Sequence, residues 1–576
     1  MNSKIQWQPW SKEAFQTAES LDKPILLDIS ATWCHWCHVM DQTTYSNHEI
    51  AALIMKNCVP IKVDRDQRPD IDKRYNMGGW PTTAFLTPNG KIITGGTYIP
   101  PQQMRKLIPQ VLDYYKKNKQ RIEAEAEESE RKQTEATFHA QSIAEEDFQS
   151  VIDNVVHVIS ESFDQTHGGF GFEPKFPQSE ALAFALLEYR LKNHKALLDI
   201  VTKTLTHMQE GGIFDKVEGG FFRYSTTRDW SIPHYEKMCE DNAKLLANYL
   251  HAYQATGEDA FKATAQKTLN YIDKNLSDRA NGGFYNSQDA DEEYYKLSHI
   301  ERQRKSKPRV DKTLYTNYNA LMISSYLLAS VVLKNPAYES LAVKTATLFF
   351  EKGFKTQEGM CHFIYDGEPH LSTLLTDQAH MLKALVDVYQ STQERTFLHN
   401  AEAIADLALE NLWGDKDGFL DRPAKTEELG MLKNPYSPFD ENAVAADAFL
   451  RLYYLTGNET YWEKAETTLR RLFTLYRNFE LLASSYTLAV ELYLHPVQVQ
   501  IVGSRKDSLT RQFVQQTLGV YNPLKTVEVL DPDVDRWRLN TLKYPIGKRT
   551  TAYVCAGGKC TLAENAADLV KLVGQV

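Results

Sequence analysis

The sequence has few cysteines and no long apolar stretch. Seven cysteines occur among 576 residues, and a set that is odd and sparse argues against a disulfide-stapled scaffold. No stretch approaches the roughly 18 apolar residues that a membrane-spanning helix needs, so we expect no membrane association. The N-terminal sequence MNSKIQWQPWSKEAF lacks the basic start, apolar core and cleavage site of a signal peptide. We therefore expect a cytoplasmic protein.

Basic residues are too few for a general nucleic-acid-binding surface. The chain has 65 Lys and Arg against 75 Asp and Glu, a net charge of -10, whereas nucleic-acid binding favours a basic face. We expect no nucleic-acid partner. The length predicts two or three domains, and a hydrophobic content of 42% suffices to bury their cores.

The N-terminal part has the pattern of a small α/β domain. Short apolar segments at 24–29, 59–64 and 83–88 are separated by turns and helix-prone stretches. From about residue 103 the sequence becomes charged and helix-prone, which predicts a terminal helix running into a solvated linker. We assign residues 1–125 to this domain and 126–143 to the linker.

The central part repeats a helical hairpin six times. Between about residues 145 and 494, twelve segments show the apolar spacing of helices and fall into six pairs. In five pairs the two helices are joined through a loop of glycine and an aromatic residue, at 167–172, 211–215, 282–287, 352–354 and 417–421. The repeat count favours a closed (α/α)6 toroid over 144–495 rather than an open solenoid. Residues 496–576 return to α/β texture and predict a small C-terminal α/β segment.

The feature most indicative of chemistry is Cys34-His35-Trp36-Cys37, which follows a predicted strand and opens a predicted helix. At a helix N-terminus, unpaired amides and the helix dipole favour a thiolate at Cys34. Cys37, one turn later, can resolve a mixed disulfide, and His35 adds positive character beside the sulfurs. We predict Cys34 and Cys37 as catalytic, and Trp33, His35 and Trp36 as substrate-binding.

Two further positions support a redox site. Asp28 precedes Cys34 by six residues on the predicted strand, where a buried carboxylate would accept a proton from Cys37. Trp80-Pro81-Thr82 precedes another strand, and a cis proline there would bring backbone beside the sulfurs, for a substrate segment to pair with. We therefore add Asp28 and Pro81 to the catalytic set and Trp80 to the substrate-binding set.

The first 110 or so residues resemble thioredoxin in the cysteine motif, the aspartate and the Trp-Pro-Thr segment, and in the order of these features along the chain. Alternatives are a zinc site formed by the two cysteines with His35 and His38, and a structural pair of buried thiols. No second cysteine or histidine pair stands nearby to complete a zinc site, so we favour redox chemistry and assign no metal and no cofactor.

Of the segments that precede a predicted inner helix, 223–246 is the richest in polar groups. We predict Arg223, His234, Glu236 and Asp241 as ligand-binding residues in a central funnel, where carboxylates and imidazole would serve sugar chemistry. Other loops supply Lys175, Asp289, Asp291, Asn317, Asn319, Asp377, His380, Asp440, Glu441 and Asn442. For each of these a helix cap or a loop hydrogen bond is the competing interpretation, as at Asp377 and Asp440.

A second cysteine pair, Cys555 and Cys560, lies near the C-terminus with four residues between. Three interpretations of this pair are open. The two cysteines form a disulfide, remain as two thiols, or act as a secondary redox centre that relays electrons to Cys34.

Several motifs together resemble the thioredoxin-domain family represented by spermatogenesis-associated protein 20 and bacterial YyaL-like proteins. They are CHWCHVM (34–40), IKVDRDQRPDID (61–72), GGWPTTAFLTPNGK (78–91), GGTYIPP (95–101), GGFGFEPKFPQ (168–178), GGIFDKVEGGFFRYSTTRDWSIPHYEKM (211–238), SQDADEE (287–293) and TAYVCAGGKC (551–560). The resemblance implies a thioredoxin-like domain followed by a six-hairpin toroid akin to sugar epimerases and glycosidases. Tyr318, Gln378 and His380 depart from the family's usual residues in the funnel, whereas Asp28 makes this chain more similar to thioredoxin.

Three hypotheses follow. The first is a thiol–disulfide oxidoreductase acting on a protein disulfide or thiol. The alternative is a carbohydrate-active enzyme, an epimerase or hydrolase, with a regulatory thioredoxin-like module and a carbohydrate ligand in the toroid. In the third, the toroid has no catalytic role and recruits a partner protein to the dithiol.

Overall fold

A computed structural model describes residues 4–135, 145–414, 418–424, 427–547 and 549–576. The chain divides into two compact units: Met1–His139 with Arg422–Tyr436, and Ala140–Asp421 with Ser437–Val576. Within the described residues, no helix combines the length and apolar character needed to cross a bilayer. Of the predicted linker, residues 136–143 lie outside the described residues.

The first unit is built on one four-stranded sheet. Its strands are β1 (Ile25–Ser30), β2 (Val59–Asp64), β3 (Thr82–Leu86) and β4 (Ile92–Gly96). Their spatial order is β2-β1-β3-β4, in which β1 is parallel to β2 and antiparallel to β3. The helices are α1 (Lys12–Ser20), α2 (His35–Met40), α3 (His48–Asn57), α4 (Pro69–Tyr75) and α5 (Pro101–Glu135), and α2 continues as a π-helical turn, Asp41–Tyr45.

The central strand is buried on both faces, which explains why β1 is a continuous apolar run. Ile25, Leu27 and Ile29 pack into one core with residues of α1 and α4. Leu26 points into a second core formed with α2, α3 and α5. Helices therefore cover both faces of the sheet, as expected for a thioredoxin-like domain.

A segment from the middle of the chain completes the first unit. Leu432 is buried in the core with Ile25 and Leu27. The Arg74 guanidinium donates to the backbone oxygen of Met431 at 3.1 Å, and the Tyr75 hydroxyl accepts from the Met431 N–H at 2.8 Å. The prediction that this stretch belongs to the toroid is therefore wrong, because no local pattern in the sequence shows that its apolar residues are buried among those of residues 10–90.

The second unit is mainly helical. Its longer helices before residue 496 are α6 (Glu145–Ser162), α7 (Ser179–Lys192), α8 (Lys195–Glu210), α9 (Cys239–Thr256), α10 (Asp259–Tyr271), α13 (Thr316–Val332), α14 (Pro336–Gly353), α15 (Leu375–Thr392), α16 (Arg395–Leu412), α17 (Phe439–Thr456), α18 (Glu459–Phe473) and α19 (Ser484–Leu494), with α11 (Glu292–Tyr295) and α12 (His299–Arg302) as single turns. Short strands in the loops are β5 (Tyr224–Ser225), β6 (Pro233–His234), β7 (Lys237–Met238), β8 (Ser287–Gln288), β9 (Val310–Asp311), β10 (Leu314–Tyr315), β11 (Phe354–Lys355), β12 (Gly359–Tyr365), β13 (Glu368–Ser372), β14 (Trp413–Gly414) and β15 (Gly418–Phe419).

These helices form a closed ring. The inner helices pack side by side in the order α7, α9, α13, α15, α17 and α19, and α19 packs against α7. The outer helices α8, α14, α16 and α18 each pack on the inner helices next to them in the chain, as α6 and α10 do on α19 and α9. The ring of six hairpins confirms the predicted (α/α)6 toroid.

An amide side chain holds the connecting loop in four of the hairpins. Asn319, in the first turn of α13, accepts from the N–H of Phe284 at 2.6 Å and donates to the oxygen of Phe284 at 3.0 Å. The equivalent pairs are Asn242 with Phe221, Gln378 with Met360 and Asn442 with Phe419. These side chains satisfy the hydrogen bonds of buried backbone groups in the loops. Asn242, Asn319 and Asn442 therefore have a structural role.

The C-terminal segment is an α/β layer, as predicted. It contains β16 (Val497–Val502), α20 (Ser508–Gly519), β17 (Lys525–Leu530), α21 (Arg536–Leu542), β18 (Thr551–Ala556), β19 (Lys559–Ala563) and α22 (Ala566–Gln575), with strand order β17-β16-β18-β19. Gln390 and Gln393, at the end of α15, accept from the N–H groups of Val527 and Val529 at 2.9 and 2.8 Å. The C-terminal layer therefore packs against the C-terminal ends of inner helices. The loops predicted to line the funnel precede the N-terminal ends of the inner helices.

Candidate functional site

The two cysteines of the first unit lie where β1 leads into α2. Cys34 is the N-cap of α2, and its sulfur accepts from the N–H of Cys37 at 3.2 Å. The two residues are joined as a disulfide, with Cα atoms 5.3 Å apart. Both are buried. The hydrogen bond that now reaches the Cys34 sulfur would stabilise its thiolate after reduction.

Two tryptophans beside the cysteines are held by carboxylates. The Trp33 indole N–H donates to Asp66 at 2.6 Å, and the Trp80 indole N–H donates to Asp72 at 2.8 Å. The two rings meet edge to face, 6.0 Å apart. The guanidinium of Arg65 lies 4.7 Å from the centre of the Trp80 ring. These contacts fix the ring orientations, and Trp33 is fully buried.

The exposed side of the site carries the other predicted substrate-binding residues. His35 is exposed, and Trp36 is 47% exposed despite its size. The Trp36 ring contacts Tyr98 at 5.2 Å, a residue that the sequence analysis did not single out. The Trp80–Pro81 peptide bond is cis, as predicted, and Pro81 is buried.

Asp28 is buried on β1, where the sequence analysis placed it. Its carboxylate pairs with the Lys62 ammonium at 2.9 Å and accepts from the Tyr45 hydroxyl at 3.3 Å. Lys62 also pairs with Asp41 at 2.8 Å, and the Tyr45 hydroxyl hydrogen-bonds Thr83 at 2.9 Å. Among the described residues, Asp28 makes no hydrogen bond to either sulfur.

Burial and the neighbouring charges shift the pKa values of Asp28, Tyr45 and Lys62. Burial raises the pKa of Asp28, and the Lys62 ammonium opposes that increase. Burial also raises the pKa of Tyr45 well above its ordinary value, and the Asp28 charge adds to the effect. Burial would lower the pKa of Lys62, but Asp28 and Asp41 outweigh it and raise that pKa. Lys62 therefore stays charged, and Asp28 takes up a proton at a higher pH than an ordinary aspartate does.

Two of the four residues predicted to line the funnel, His234 and Glu236, contact each other in the toroid. His234 on β6 hydrogen-bonds Glu236, which is buried. The His234 ring stacks on Tyr224 at 4.9 Å, and Tyr224 stacks on Phe176 at 4.8 Å. Phe176 is 39% exposed. The result is an aromatic surface that ends at a histidine–carboxylate pair.

Asp241 lies in the first turn of α9, within electrostatic reach of Arg223. Burial raises the pKa of Asp241 to about 7, Glu240 adds to the increase, and Arg223 opposes it. The Lys244 ammonium, on the next turn, bridges Glu240 at 2.7 Å and Glu180 at 2.8 Å. Glu180, Glu240 and Lys244 were missed from the sequence because acidic and basic residues at helical spacing usually form solvated faces.

A buried histidine–aspartate pair was also missed. Nδ1 of His362 on β12 lies 2.9 Å from Asp377, and both side chains are buried. Burial raises the pKa of Asp377 to about 6, and His362 opposes the increase. The N-cap interpretation of Asp377 is wrong, because α15 begins at Leu375 and its N-cap is Leu374. Asp440 likewise lies inside the first turn of α17 rather than at its N-cap, Pro438.

Other candidates from the sequence have structural roles. Lys175 is fully buried and pairs with Asp164 at 2.7 Å, and Arg228 binds the same carboxylate at 2.8 Å. Asp291 caps α11 by accepting from the N–H of Tyr294. Nδ1 of His380 donates to the Thr376 backbone oxygen at 2.7 Å, and burial lowers the pKa of His380 to about 4.

No group of three or more histidine, cysteine, aspartate or glutamate side chains in the described part of the chain is arranged to hold a metal ion. In this structure the sulfurs of Cys34 and Cys37 are bonded to each other.

Comparison with known proteins agrees with this division of the chain. Residues 1–134 match the family model Thioredox_DsbH, described as a protein of unknown function, DUF255. Spermatogenesis-associated protein 20 of Homo sapiens is 26% identical over 702 aligned positions, which cover 97% of this chain and 88% of that protein. Thioredoxin-1 of Drosophila melanogaster is 35% identical over 71 residues, 12% of this chain and 64% of that protein.

Among solved structures, a D-mannose isomerase superposes with a TM-score of 0.47 at 16% identity, covering 57% of this chain and 85% of that one. The N-terminal region is thioredoxin-like and matches the DsbH family model over residues 1–134, and the chain as a whole is similar to spermatogenesis-associated protein 20.

Proposed function

We propose that this protein is a thiol–disulfide oxidoreductase whose reactive groups are Cys34 and Cys37. The observation that carries the proposal is the position of Cys34 at the N-cap of α2, with its sulfur accepting from the Cys37 N–H at 3.2 Å. The helix dipole and this hydrogen bond both favour a thiolate at Cys34 over one at Cys37. The two sulfurs therefore have different roles.

In the reducing direction, the Cys34 thiolate attacks a disulfide of the substrate protein and forms a mixed disulfide. The first substrate sulfur leaves as a thiolate. Cys37 then attacks the sulfur of Cys34, releases the second substrate thiolate and leaves the Cys34–Cys37 disulfide seen here. Two electrons pass to the substrate, and the protons of the dithiol go with them.

Asp28 is the proposed acceptor of the Cys37 proton. Its pKa is raised by burial, so it can take and return a proton under conditions in which an ordinary aspartate stays ionised. Lys62 and Tyr45 bind the same carboxylate and hold it in place. Asp28 hydrogen-bonds Tyr45 and pairs with Lys62 in this disulfide state, and the proposed proton transfer takes place when Cys37 is a thiol.

The substrate would dock on the exposed side of the disulfide. Trp36 and Tyr98 offer an aromatic surface there, and Trp80 and Pro81 directly precede β3. Large exposed aromatic side chains are typical of protein recognition sites. An extended segment of a protein disulfide or thiol substrate is the partner that this surface fits best.

Single-cysteine variants test the proposal. Cys34→Ser should abolish reduction of a disulfide substrate such as insulin, whereas Cys37→Ser should accumulate mixed disulfides through Cys34, detected by non-reducing gels and mass spectrometry. Cys58→Ser is the matched control, because Cys58 is a buried free thiol of the same unit. Disulfide reduction that is unchanged in Cys34→Ser would overturn the proposal.

The aromatic surface in the toroid supports a second candidate function, the binding and acid–base conversion of a carbohydrate. Exposed aromatic rings stack on sugar rings, and a histidine–carboxylate pair such as His234–Glu236 can move a proton at a sugar carbon or oxygen. Arg223 and Asp241 would bind the hydroxyl groups. The thioredoxin-like domain would then be a regulatory module.

A panel of mono- and disaccharides in a thermal-shift assay tests the second candidate. A sugar that stabilises the wild-type chain should lose its effect in His234→Ala and keep it in His299→Ala, in which an exposed histidine is removed. No stabilisation by any sugar, or equal stabilisation in both variants, would count against a carbohydrate site at His234.

A further inference from the structure

Two tryptophans lie side by side where the chain leads into the dithiol site. Trp33 directly precedes Cys34, and its ring meets that of Trp80 edge to face, with the ring centres 6.0 Å apart. The Trp33 indole N–H donates to Oδ2 of Asp66 at 2.6 Å. The Trp80 indole N–H donates to Oδ1 of Asp72 at 2.8 Å. Both tryptophans are therefore held by carboxylates of one short segment, the turn after β2 and the helix α4 that follows it.

Asp72 also holds the loop that leads to Trp80. Its Oδ1 accepts from the side-chain amide of Asn76 at 2.9 Å. Oδ1 of Asn76 in turn accepts from the N–H groups of Gly78 and Gly79 at 2.8 and 2.9 Å. Gly78 has a φ of 98°, which glycine adopts without a steric penalty. The backbone before Trp80 and the Trp80 ring are thus both fixed through the same carboxylate.

Arg65 connects the two carboxylates. Its Nη1 lies 3.0 Å from Oδ1 of Asp66, and its Nε lies 3.7 Å from Oδ2 of Asp72. In each carboxylate, one oxygen therefore binds an indole and the other faces the guanidinium. The guanidinium also lies 4.7 Å from the centre of the Trp80 ring, a cation–π distance. The Arg65 N–H donates to the backbone oxygen of Ser30 at 2.8 Å, which ties Arg65 to the end of β1.

The guanidinium is a counter-charge shared by two buried carboxylates. The side chains of Asp66 and Asp72 are 0% and 8% exposed, and that of Arg65 is 21% exposed. Removing one partner of a buried ion pair leaves a charge behind at a high cost, and here two like charges would also repel each other. Asp72 would then move away from Asp66 and take the Trp80 ring with it. Lysine replaces the guanidinium only in part, since a planar fork alone pairs with two carboxylates and stacks on a ring at once.

We propose that Arg65 is a specificity-determining positioning residue of the redox site, which fixes the Trp80 ring against Trp33 and so preforms the surface on which a protein substrate docks. This inference rests on the proposed function of the N-terminal cysteines. Arg65 acts through Trp80 and not on the sulfurs.

The role assigned to Arg65 concerns the kind of disulfide that the site accepts. An extended segment of a protein covers the surface beside the sulfurs, and a surface that is already ordered lowers the entropic cost of that binding. A small disulfide reaches the Cys34 sulfur without covering Trp80, so it gains nothing from an ordered ring. Arg65 therefore favours protein disulfides over small ones.

Single-turnover kinetics of the full-length protein test this preference. The pre-reduced protein is mixed with excess insulin or hydroxyethyl disulfide, quenched by alkylation, and the Cys34–Cys37 peptide is quantified by mass spectrometry. In Arg65→Gln we expect the insulin concentration that gives half the maximal rate to increase by about tenfold, because the docking surface is no longer ordered. The limiting rate, and the rate with hydroxyethyl disulfide, should change by less than about twofold. An unchanged half-saturating concentration, or equal slowing with both disulfides, would overturn the proposal.

Two further variants separate positioning from general loosening of the fold. Arg68→Gln removes a guanidinium of similar exposure that pairs with Asp70 at 2.8 Å in the same segment, and should react like the wild-type protein. Arg65→Lys keeps the charge but not the planar fork, and should fall between Arg65→Gln and the wild-type protein. If Arg68→Gln weakens insulin binding as much as Arg65→Gln does, the effect is not specific to Arg65 and the proposal is wrong.

A double-mutant cycle tests whether Arg65 acts through Trp80. Trp80→Ala should itself raise the half-saturating insulin concentration, and adding Arg65→Gln to it should have no further effect, because the ring that Arg65 positions is gone. Additive effects of the two substitutions would contradict action through Trp80.

The same kinetics distinguish failure of this inference from failure of the proposed function. A pre-reduced wild-type protein that transfers electrons to neither disulfide overturns the proposed function, and the inference falls with it. A wild-type protein that reduces both, with the same dependence on insulin concentration as Arg65→Gln, overturns the inference alone.

Discussion

Asp28 and Lys62 lie directly opposite each other on the parallel strands β1 and β2, and their side chains form an ion pair of 2.9 Å. Two opposing effects act on the pKa of this carboxyl group. Burial raises the pKa of Asp28, and the Lys62 ammonium lowers it. The balance between them determines the pH at which Asp28 can accept a proton from Cys37.

Removing the lysine should shift the pH dependence of the redox reaction. In Lys62→Met the pKa of Asp28 increases further, so a larger fraction of Asp28 is protonated at any given pH and cannot accept a proton from Cys37. We expect resolution of the mixed disulfide at pH 7 to slow by about tenfold and its pH profile to move to higher pH. Stopped-flow fluorescence of the tryptophans at several pH values measures both, with the exposed Lys56→Met as control. An unchanged pH profile would rule out this role for Lys62.

The side-chain amide of Asn319, which holds the loop before α13, should stabilise the folded toroid. Asn319→Ala leaves the buried N–H and oxygen of Phe284 without their partner, which should destabilise the toroid by about 3 kcal/mol. Asn317→Ala is the matched control on the same helix turn, since Asn317 is only half-buried and its contact with Thr376 is long, 3.5 Å. Thermal unfolding followed by circular dichroism compares them. Similar losses in both variants would contradict the proposed role.

A buried pair of carboxyl groups should make the toroid less stable at high pH. Burial raises the pKa of Glu491 from 4.5 to about 9, and the adjacent Glu188 adds to the increase. Because the folded chain retains a proton that the unfolded chain releases above about pH 4.5, this group's contribution to stability is lost as the pH rises towards 9.

Glu491→Gln should therefore raise the unfolding temperature at about pH 8 and flatten its decrease between pH 5 and 9. The Lys192 ammonium and the His495 imidazole, whose pKa is lowered by burial, lie beside the pair and are unchanged by the substitution. Differential scanning calorimetry measures the effect, with the exposed Glu463→Gln as control. A pH dependence identical to that of the wild-type protein would show that Glu491 does not retain a proton.

The segment Arg422–Tyr436 should loosen when its buried ion pair is removed. Arg422 binds Asp70 at 2.7 Å, and both side chains are almost fully buried. We expect Arg422→Ala to increase the rate of chymotryptic cleavage in this segment by roughly tenfold, because local opening becomes easier. Lys433→Ala, which removes an exposed charge of the same segment, should leave the rate unchanged. Equal cleavage rates would show that the ion pair does not hold the segment.

The sequence predicts the local features of this protein well. Cys34 and Cys37 follow a strand and open a helix, and Pro81 precedes a strand after a tryptophan, so each can be recognised within a few residues. The toroid was predictable because five of the six hairpins repeat the same succession of outer helix, glycine–aromatic loop and apolar inner helix. Each of these signals is contained in one short stretch of sequence.

Contacts between distant segments could not be predicted in the same way. The pairing of Asp28 with Lys62 depends on the register of two strands, and that of His362 with Asp377 on how a hairpin packs against the start of α15. Nothing near Leu432 in the sequence shows that it belongs to the core of the N-terminal domain. A single sequence reveals periodicity and spacing, whereas these contacts arise from tertiary packing.

The equilibrium reduction potential of the Cys34–Cys37 pair tests the central claim most directly. The protein is equilibrated in glutathione buffers of graded potential, the thiols are alkylated, and the N-terminal peptide is quantified by mass spectrometry. The proposed function predicts a reversible two-electron couple with a potential between roughly -270 and -120 mV, the range of known dithiol catalysts. A pair that forms no disulfide, or that binds one equivalent of zinc instead, would contradict it.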